Sequence, residues 1–225
     1  MSNRFIDRAD AGRALVRRLL QMHLREPIVV LALPRGGVPI GAQVARALKA
    51  PLDLVLVRKI GTPGQPELAL AAVAEGDPPA LVIDDEVNRS VTVDASYIDK
   101  QAQLALREIA RRRQVYLRGR AAAEVEGRTV IVVDDGIATG TTMRAALQAL
   151  RRRRPTQLVL AVPVAPRDTL EALRAEVDQV VCLLTPQPFY AVGEHYDEFP
   201  QVDDQEVLEA LDAASRPGPG RSEPT

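Results

Sequence analysis

Cysteine and aromatic residues are scarce in this chain of 225 residues. A single cysteine, Cys182, excludes a disulfide bond within the chain and is typical of proteins in a reducing compartment. Because Cys182 lies inside the apolar run 180–184, we interpret it as a small core residue rather than a nucleophile. Tryptophan is absent, and more than half of the Phe and Tyr rings fall within residues 189–199, which marks that segment as unusual.

The chain also lacks an excess of charge and a long apolar run. Its 29 basic and 30 acidic side chains give a formal net charge of −1, so no overall field attracts nucleic acid. No apolar run reaches the ~20 residues that span a membrane, and none follows the first residues, so we expect a cytoplasmic protein. We expect a single α/β domain over residues 1–215, followed by a flexible tail rich in Pro and Gly over 216–225.

Hydrophobic patterning predicts alternating strands and helices, which is typical of a doubly wound, mostly parallel α/β sheet. Two apolar runs, 68–74 and 80–83, predict an inserted hairpin, whereas residues 58–66, with two Gly and two Pro, predict a loop. The other predicted strands are 28–33, 52–57, 130–133, 158–162 and 180–184. The predicted helices are 10–23, 38–48, 94–118, 166–175 and 202–211, and a further helix begins near residue 141.

The most informative stretch is residues 130–142, which reads VIVVDDGIATGTT. Its four β-branched apolar residues predict a strand that is covered on both faces. Asp134 and Asp135 follow at the carboxyl end of that strand, where open α/β sheets bind ligands. Gly136 and Gly140 then permit a tight loop before the helix. Free N–H groups at the start of that helix, together with nearby Thr hydroxyls, predict an anion site.

Two adjacent carboxylates repel a phosphate, but they suit hydrogen bonds from a vicinal diol or the binding of a hydrated metal. The loop lacks the Lys of a Walker A motif, and the acids lack the Asp-x-Asp spacing of haloacid-type phosphatases. For the acid pair alone, a solvated turn after a strand is the simpler interpretation. The whole stretch instead predicts a site for ribose 5-phosphate, with the diol on the acids and the phosphate on the loop.

This stretch resembles the motif with which type I phosphoribosyltransferases bind 5-phosphoribosyl 1-diphosphate (PRPP). That motif has several apolar residues, two acids, two or three small or apolar residues, Thr-Gly and a further hydroxyl. The resemblance implies a doubly wound sheet with an inserted hairpin or flexible loop and a small C-terminal hood. It also implies that these residues bind PRPP: Asp134, Asp135, Gly136, Ile137, Ala138, Thr139, Gly140, Thr141 and Thr142.

Two earlier loops add basic residues. Arg35, Gly36 and Gly37 follow the strand 28–33, and the resemblance implies that they bind the diphosphate of PRPP. An ordinary strand-to-helix turn with a surface Arg is the alternative interpretation. Arg58 and Lys59 follow the strand 52–57 in a stretch similar to the adenine-type enzymes, which implies contact with the diphosphate beneath a mobile loop. Two solvated charges are the alternative there.

The resemblance implies that a nitrogenous nucleophile displaces diphosphate from C1 of PRPP, with Mg²⁺ bound to the PRPP. Asp134 and Asp135 would hold the ribose hydroxyls and place negative charge near an oxocarbenium-like transition state. Arg35, Lys59 and Mg²⁺ would offset the charge that grows on the leaving group. These four side chains are therefore the candidate catalytic residues.

The sequence indicates less about where the acceptor binds. The segment 189–196, called the hood segment below, is expected to cover a planar base, and Tyr190 is the residue that we expect to stack on it. For Phe189 and Phe199 we favour packing on the core or at a dimer interface, and we interpret His195 as a surface or packing residue rather than a catalyst. Members of this family often form dimers, so we expect a homodimer.

One position departs from the family. The hypoxanthine/guanine type has an acid immediately before the Thr-Gly, and this chain has Ala138 there. Glu67 and Glu75 are alternative candidates for the general base. A PRPP-sensing regulator that binds PRPP without turnover is the second hypothesis. The acidic run 84–86 also follows an apolar run, but no Thr-Gly comes after it, so we interpret it as a polar hairpin end.

Overall fold

The computed structural model describes residues 4–91 and 93–215. The predicted tail over 216–225 lies outside the described residues. The helices are α1 (Arg8–Leu19), α2 (Gly37–Leu48), α3 (Asp85–Ser90), α4 (Ala95–Leu117), α5 (Thr141–Arg152), α6 (Arg167–Leu173) and α7 (Asp204–Ser215). The strands are β1 (Ile28–Ala32), β2 (Leu52–Leu54), β3 (Val57–Thr62), β4 (Gln65–Ala74), β5 (Ala80–Ile83), β6 (Thr129–Val133), β7 (Gln157–Val164) and β8 (Gln179–Leu184).

The predicted doubly wound α/β sheet is confirmed. Five parallel strands pair in the order β2-β1-β6-β7-β8. Val130 and Val132 of β6 pack toward α5, whereas Ile131 and Val133 pack toward α1 and α2. Because both faces of β6 are covered by helices, every residue of this strand is buried, which explains the unbroken apolar run over 130–133.

The strand order fixes where a ligand can bind. From β1 the chain moves to β2 on one side, whereas from β6 it moves outward through β7 to β8 on the other side. The carboxyl ends of β1 and β6 therefore lie at the point where the order reverses, and open α/β sheets bind ligands in the crevice there. This arrangement sets the loop after β1 beside the loop after β6.

The inserted hairpin is confirmed and is part of a larger unit. Strands β3, β4 and β5 form an antiparallel sheet, and alanines of β4 and β5 pack on Ala145 and Ala149 of α5. The predicted loop over 58–66 is wrong, because most of it forms β3, with Lys59 paired opposite Ala72. The predicted strand 52–57 is wrong in its extent, since it divides between β2 and the start of β3.

The acidic run 84–86 is more than a hairpin end. Residues 85–90 form the short helix α3, and Asp84 Oδ1 accepts a hydrogen bond from the N–H of Val87 at 3.1 Å. Asp84 thus stabilises the start of this helix as an N-terminal cap. Among the described residues, no helix has both the length and the apolar character that crossing a membrane requires.

Candidate functional site

The loop after β1 touches the loop after β6 because both glycines of the first loop lack a side chain. A Cβ atom on Gly37 would lie 2.7 Å from the carbonyl oxygen of Val133 and 2.8 Å from Cα of Asp134. A Cβ atom on Gly36 would overlap the carboxylate of Asp135. The structure thus brings together Gly36, Gly37 and the two acids, as the sequence predicts.

Asp134 carries a carboxylate that is costly to ionise in the free protein. Its Oδ1 atom accepts a hydrogen bond from the N–H of Asp135 at 2.8 Å. Burial, followed by the negative charge of Asp135, raises the pKa of Asp134 well above its ordinary value. A ligand that donates hydrogen bonds or positive charge to Asp134 would favour its ionised form.

Asp135 is held by an arginine from the first helix. Arg8 Nε donates to Oδ2 of Asp135 at 2.8 Å, and Arg8 Nη2 lies 2.8 Å from the same oxygen. Burial raises the pKa of Asp135, and the guanidinium of Arg8 opposes that shift. Tyr196 donates its hydroxyl to the carbonyl oxygen of Asp135 at 2.6 Å, so the backbone of the loop is also fixed.

A backbone connection places Arg8 and Tyr196 at the acids. Phe5 donates its N–H to the carbonyl oxygen of His195 at 2.9 Å, and Asp197 donates to the carbonyl oxygen of Phe5 at 2.8 Å. The start of the chain is therefore joined to the end of the hood segment beside the loop after β6. Sequence reasoning missed both Arg8 and Tyr196, and the clustering of aromatic residues was the only signal for the second.

The loop after β6 turns into α5 as the sequence predicts. Gly140 precedes the helix with φ of 82°, a left-handed conformation that favours glycine. Ile137 donates its N–H to the carbonyl oxygen of Val164 at 3.0 Å, and the carbonyl oxygen of Ala138 accepts from the Thr169 hydroxyl at 2.9 Å. These bonds fix the loop, and the first N–H groups of α5 have no acceptor within the helix.

A cavity of about 260 Å³ lies between this loop and the end of β5. Its polar lining consists of Thr139 and Thr141 of the loop together with Asp84, Arg89 and Arg144. Oδ2 of Asp84 accepts a hydrogen bond from the Thr141 hydroxyl at 3.1 Å. Sequence reasoning missed Arg89, Arg144 and this contact of Asp84, because the folding of the inserted sheet onto α5 brings these residues to the loop.

Thr142 contributes a buried hydroxyl to the first turn of α5. Its Oγ1 atom has no hydrogen-bond partner within the described part of the chain. The hydroxyls of Thr139 and Thr141 lie 3.5 Å apart at the same turn. Three of the predicted hydroxyl donors therefore gather at the start of α5.

The predicted basic residues contact acidic residues outside the acid loop or line a different cavity. The Arg35 guanidinium lies 3.7 Å from Asp204 of α7. Arg58 and Lys59 line a second cavity of about 140 Å³ between β3 and α4, where Arg58 lies 3.4 Å from Glu108. The described lining of this second cavity contains no residue of the acid loop. The structure therefore does not bring Arg58 and Lys59 into one cavity with the acids.

The aromatic residues of the C-terminal region divide into two groups. Phe189 packs against His195 with ring centroids 5.1 Å apart, and Phe199 packs against Tyr196 at 4.8 Å. The packing interpretation of Phe189, Phe199 and His195 is thus confirmed. Tyr190 is 75% exposed, and its predicted stacking on a base stays a prediction.

The carboxylate of Glu75, a candidate general base, is bound by residues outside the acid loop. It lies 2.7 Å from Arg113 and accepts from the N–H of Leu56 at 3.1 Å. Burial raises the pKa of Glu75, and Arg113 opposes this shift. These contacts give Glu75 a structural role between the inserted sheet and α4. The side chain of Glu67, the other candidate, is outside the described part.

Comparison with known proteins agrees with the family that residues 130–142 predict. A sequence model of the family described as phosphoribosyl transferase domain matches residues 5–198. Two curated proteins of Mycobacterium tuberculosis, Rv0571c of strain H37Rv and MT0597 of strain CDC 1551, carry provisional names as phosphoribosyl transferases. Each is 46% identical over 212 residues, which is 94% of this chain. The chain spans about half the length of these relatives, 47% in each case.

A solved structure agrees over nearly the whole fold. The crystal structure of TT1426 from Thermus thermophilus is 44% identical to this chain, with a TM-score of 0.76. The match covers 92% of this chain and 97% of TT1426. The overall fold is therefore shared with a protein of substantial sequence identity.

Proposed function

The chain belongs to the phosphoribosyl transferase domain family, and we propose that it transfers the 5-phosphoribosyl group from PRPP to a nitrogenous base or similar acceptor with release of diphosphate. The observation that carries this proposal is the contact between the glycine loop after β1 and the acid pair after β6, directly before the start of α5. Diphosphate, ribose diol and 5-phosphate each have a chemically suited group within this arrangement.

Each part of PRPP is assigned to one loop. The ribose hydroxyls donate to Asp134 and Asp135, whose charge then stabilises the cationic sugar as the bond to diphosphate breaks. The 5-phosphate accepts from the N–H groups and hydroxyls of the turn 138–142 at the start of α5. Arg35, Gly36 and Gly37 face the diphosphate. Arg58 and Lys59 line a cavity between β3 and α4, and their contact with the diphosphate stays part of the proposal.

The residues fit a magnesium ion that is held mainly by the substrate. Asp134 and Asp135 offer oxygen donors, and the described residues contain no group of three or more His, Cys, Asp or Glu that could hold a metal. Mg²⁺ commonly keeps several waters and binds one or two carboxylates together with substrate phosphates. When bound in this way, it supplies positive charge to the departing diphosphate.

A second candidate function is PRPP sensing without turnover. Ala138 replaces an acid of the hypoxanthine/guanine type, and Glu75 is paired with Arg113. This arrangement favours either an acceptor that needs no general base or a protein that only binds PRPP. The predicted homodimer and cytoplasmic location stay predictions.

An assay with a panel of purine and pyrimidine bases distinguishes the two functions. We expect diphosphate release when PRPP, Mg²⁺ and a suitable base are present, measured against reactions that omit the base. Calorimetric binding of PRPP without release for any base would favour the sensor. Absence of PRPP binding by the wild-type protein would contradict both.

Replacing Asp84 with Asn should tighten PRPP binding. The Asp84 carboxylate contacts Thr141, which we assign to the 5-phosphate, so its negative charge opposes the ligand. Asn keeps an acceptor oxygen but removes the charge, and we expect ~3- to 10-fold higher affinity, about 0.7–1.4 kcal/mol. Calorimetry at low and high salt measures the effect, which salt should weaken.

Asp77→Asn is the matched control for this substitution. Asp77 is an exposed acid in the turn between β4 and β5, at the opposite end of β5 from Asp84. Its removal changes the net charge equally and should leave PRPP affinity unchanged. Weaker PRPP binding by Asp84→Asn would show that Asp84 orients the loop instead of opposing the phosphate.

A further inference from the structure

Arg8 and Asp135 form an ion pair that is largely withdrawn from water. Their side chains are 11% and 14% exposed, and two nitrogens of the guanidinium contact the same carboxylate oxygen at 2.8 Å. By comparison, Arg13 on the same helix pairs with Asp10 while 56% of its side chain is exposed. Exposed pairs of that kind contribute little, whereas a buried carboxylate that loses its partner is costly.

The guanidinium of Arg8 is itself held in place. It lies 3.8 Å from the centroid of the Phe199 ring, and its Nη1 donates to the carbonyl oxygen of Pro200 at 2.6 Å. The ring of Phe199 in turn packs on Tyr196. Arg8 is therefore fixed by groups of the C-terminal region that do not belong to the acid loop.

Arg8 contacts only one of the two carboxylate oxygens of Asp135. Both contacting nitrogens of Arg8 approach Oδ2 of Asp135, so Arg8 does not occupy Oδ1. A carboxylate can accept several hydrogen bonds, and a cation on one oxygen limits rotation of the group. Because Arg8 is fixed by Phe199 and Pro200, it orients Asp135 without needing to leave when a ligand enters.

We propose that Arg8 is a positioning residue for the sugar site, which holds Asp135 so that its second oxygen accepts a hydrogen bond from a ribose hydroxyl. This inference rests on the proposed binding of PRPP. It assigns a role in the site to the first helix and the C-terminal region, which are joined beside the acid loop. Arg8 acts through Asp135 and does not itself contact the reacting atoms.

A double-mutant cycle tests this role. PRPP affinity with Mg²⁺ is measured by calorimetry for wild type, Arg8→Met, Asp135→Asn and the double variant, at PRPP concentrations that saturate the weakest of them. We expect Arg8→Met to weaken PRPP binding ~10- to 100-fold, as does removal of groups that orient the ligands of other sites. In the Asp135→Asn background the same change should cost less than about twofold, because the group that Arg8 orients has already been altered.

Two further variants separate positioning from general stability. Arg8→Lys keeps the charge and should restore part of the affinity, and it serves as the test variant if Arg8→Met does not fold. Arg13→Met removes an arginine from the exposed face of the same helix and should bind PRPP as the wild type does. Thermal unfolding of each variant verifies that the fold is intact.

Several results would overturn the inference. Equal or tighter PRPP binding by Arg8→Met would mean that Arg8 is irrelevant to the sugar or competes with it. If Arg8→Met weakens PRPP binding by the same factor in the Asp135→Asn background as in the wild type, Arg8 acts through the general structure and not through Asp135. Failure of the wild-type protein to bind PRPP would instead overturn the proposed function, and with it the sugar-binding role, before any variant is compared.

Discussion

Replacing Asp134 and Asp135 together with Asn should remove most PRPP binding and lower any rate of diphosphate release by ~10²–10³-fold. The amides keep the shape of the side chains, but each loses one oxygen that accepts from the diol and the negative charge that stabilises the cationic sugar. Calorimetry with PRPP and Mg²⁺ measures the affinity, and the release assay measures the rate. Unchanged PRPP affinity in this double variant would contradict the assignment of the site.

The single variant Asp134→Asn shows whether a loss of binding reflects chemistry or unfolding. The pKa of Asp134 is raised above its ordinary value of 3.8, chiefly by burial and then by the charge of Asp135. The folded protein therefore binds this proton more tightly than the unfolded chain does. The stability that Asp134 contributes is present at low pH and is lost as the pH rises from about 4 through the raised pKa.

Asn at position 134 cannot ionise, so the Asp134→Asn variant does not lose this stability as the pH rises. We expect Asp134→Asn to be more stable than the wild type at neutral pH and to bind PRPP more weakly. The difference in free energy of unfolding, measured by urea titration, should shrink as the pH falls toward 4. A variant that is less stable at neutral pH and equally destabilised at every pH would show that the Asp134 carboxylate is structurally required.

Sequence patterns predicted the elements whose signals are local. The β-branched run over 130–133 requires cover on both faces, and the adjacent acids and Thr-Gly turn identify the loop that follows it. The structure places this loop between β6 and α5, and its role in binding PRPP stays a prediction. Gly36 and Gly37 lie against the acid loop, and their predicted contact with the diphosphate of PRPP stays a prediction.

The features that sequence reasoning missed depend on contacts between residues that are far apart in the chain. Arg8 lies 127 positions from Asp135, and nothing in an amphipathic helix distinguishes a site arginine from a solvated one. Residues 57–62 contain turn-forming residues at their end, yet pairing with β4 makes them a strand, because cross-strand packing outweighs local propensity. No sequence motif marks Asp84 as a site residue. The packing of the inserted sheet on α5 brings it to Thr141.

Gly37→Ala should disrupt the site by forcing the two loops apart. Replacing Gly with Ala inside a helix ordinarily stabilises it by roughly 0.5–1 kcal/mol. At Gly37 the new Cβ atom would lie 2.7 Å from the Val133 carbonyl oxygen and 2.8 Å from Cα of Asp134. Both are backbone atoms that no side-chain rotation can move, so we expect a net destabilisation of ~1–3 kcal/mol in urea unfolding.

The same substitution should also lower the rate of diphosphate release. Separating the loops shifts Asp134 relative to Arg35, Gly36 and Gly37, which we assign to the diphosphate. A misplacement of ~1 Å in a site can cost ~10²-fold in rate. The matched control is Gly12→Ala in α1, where the three atoms nearest to the new Cβ atom belong to the end of the Gln43 side chain, at 2.6–2.9 Å. Because that side chain can rotate away, the control should keep its stability within ~1 kcal/mol and retain PRPP binding. Equal effects of the two substitutions on PRPP binding would mean that close contact between the loops is not what builds the site.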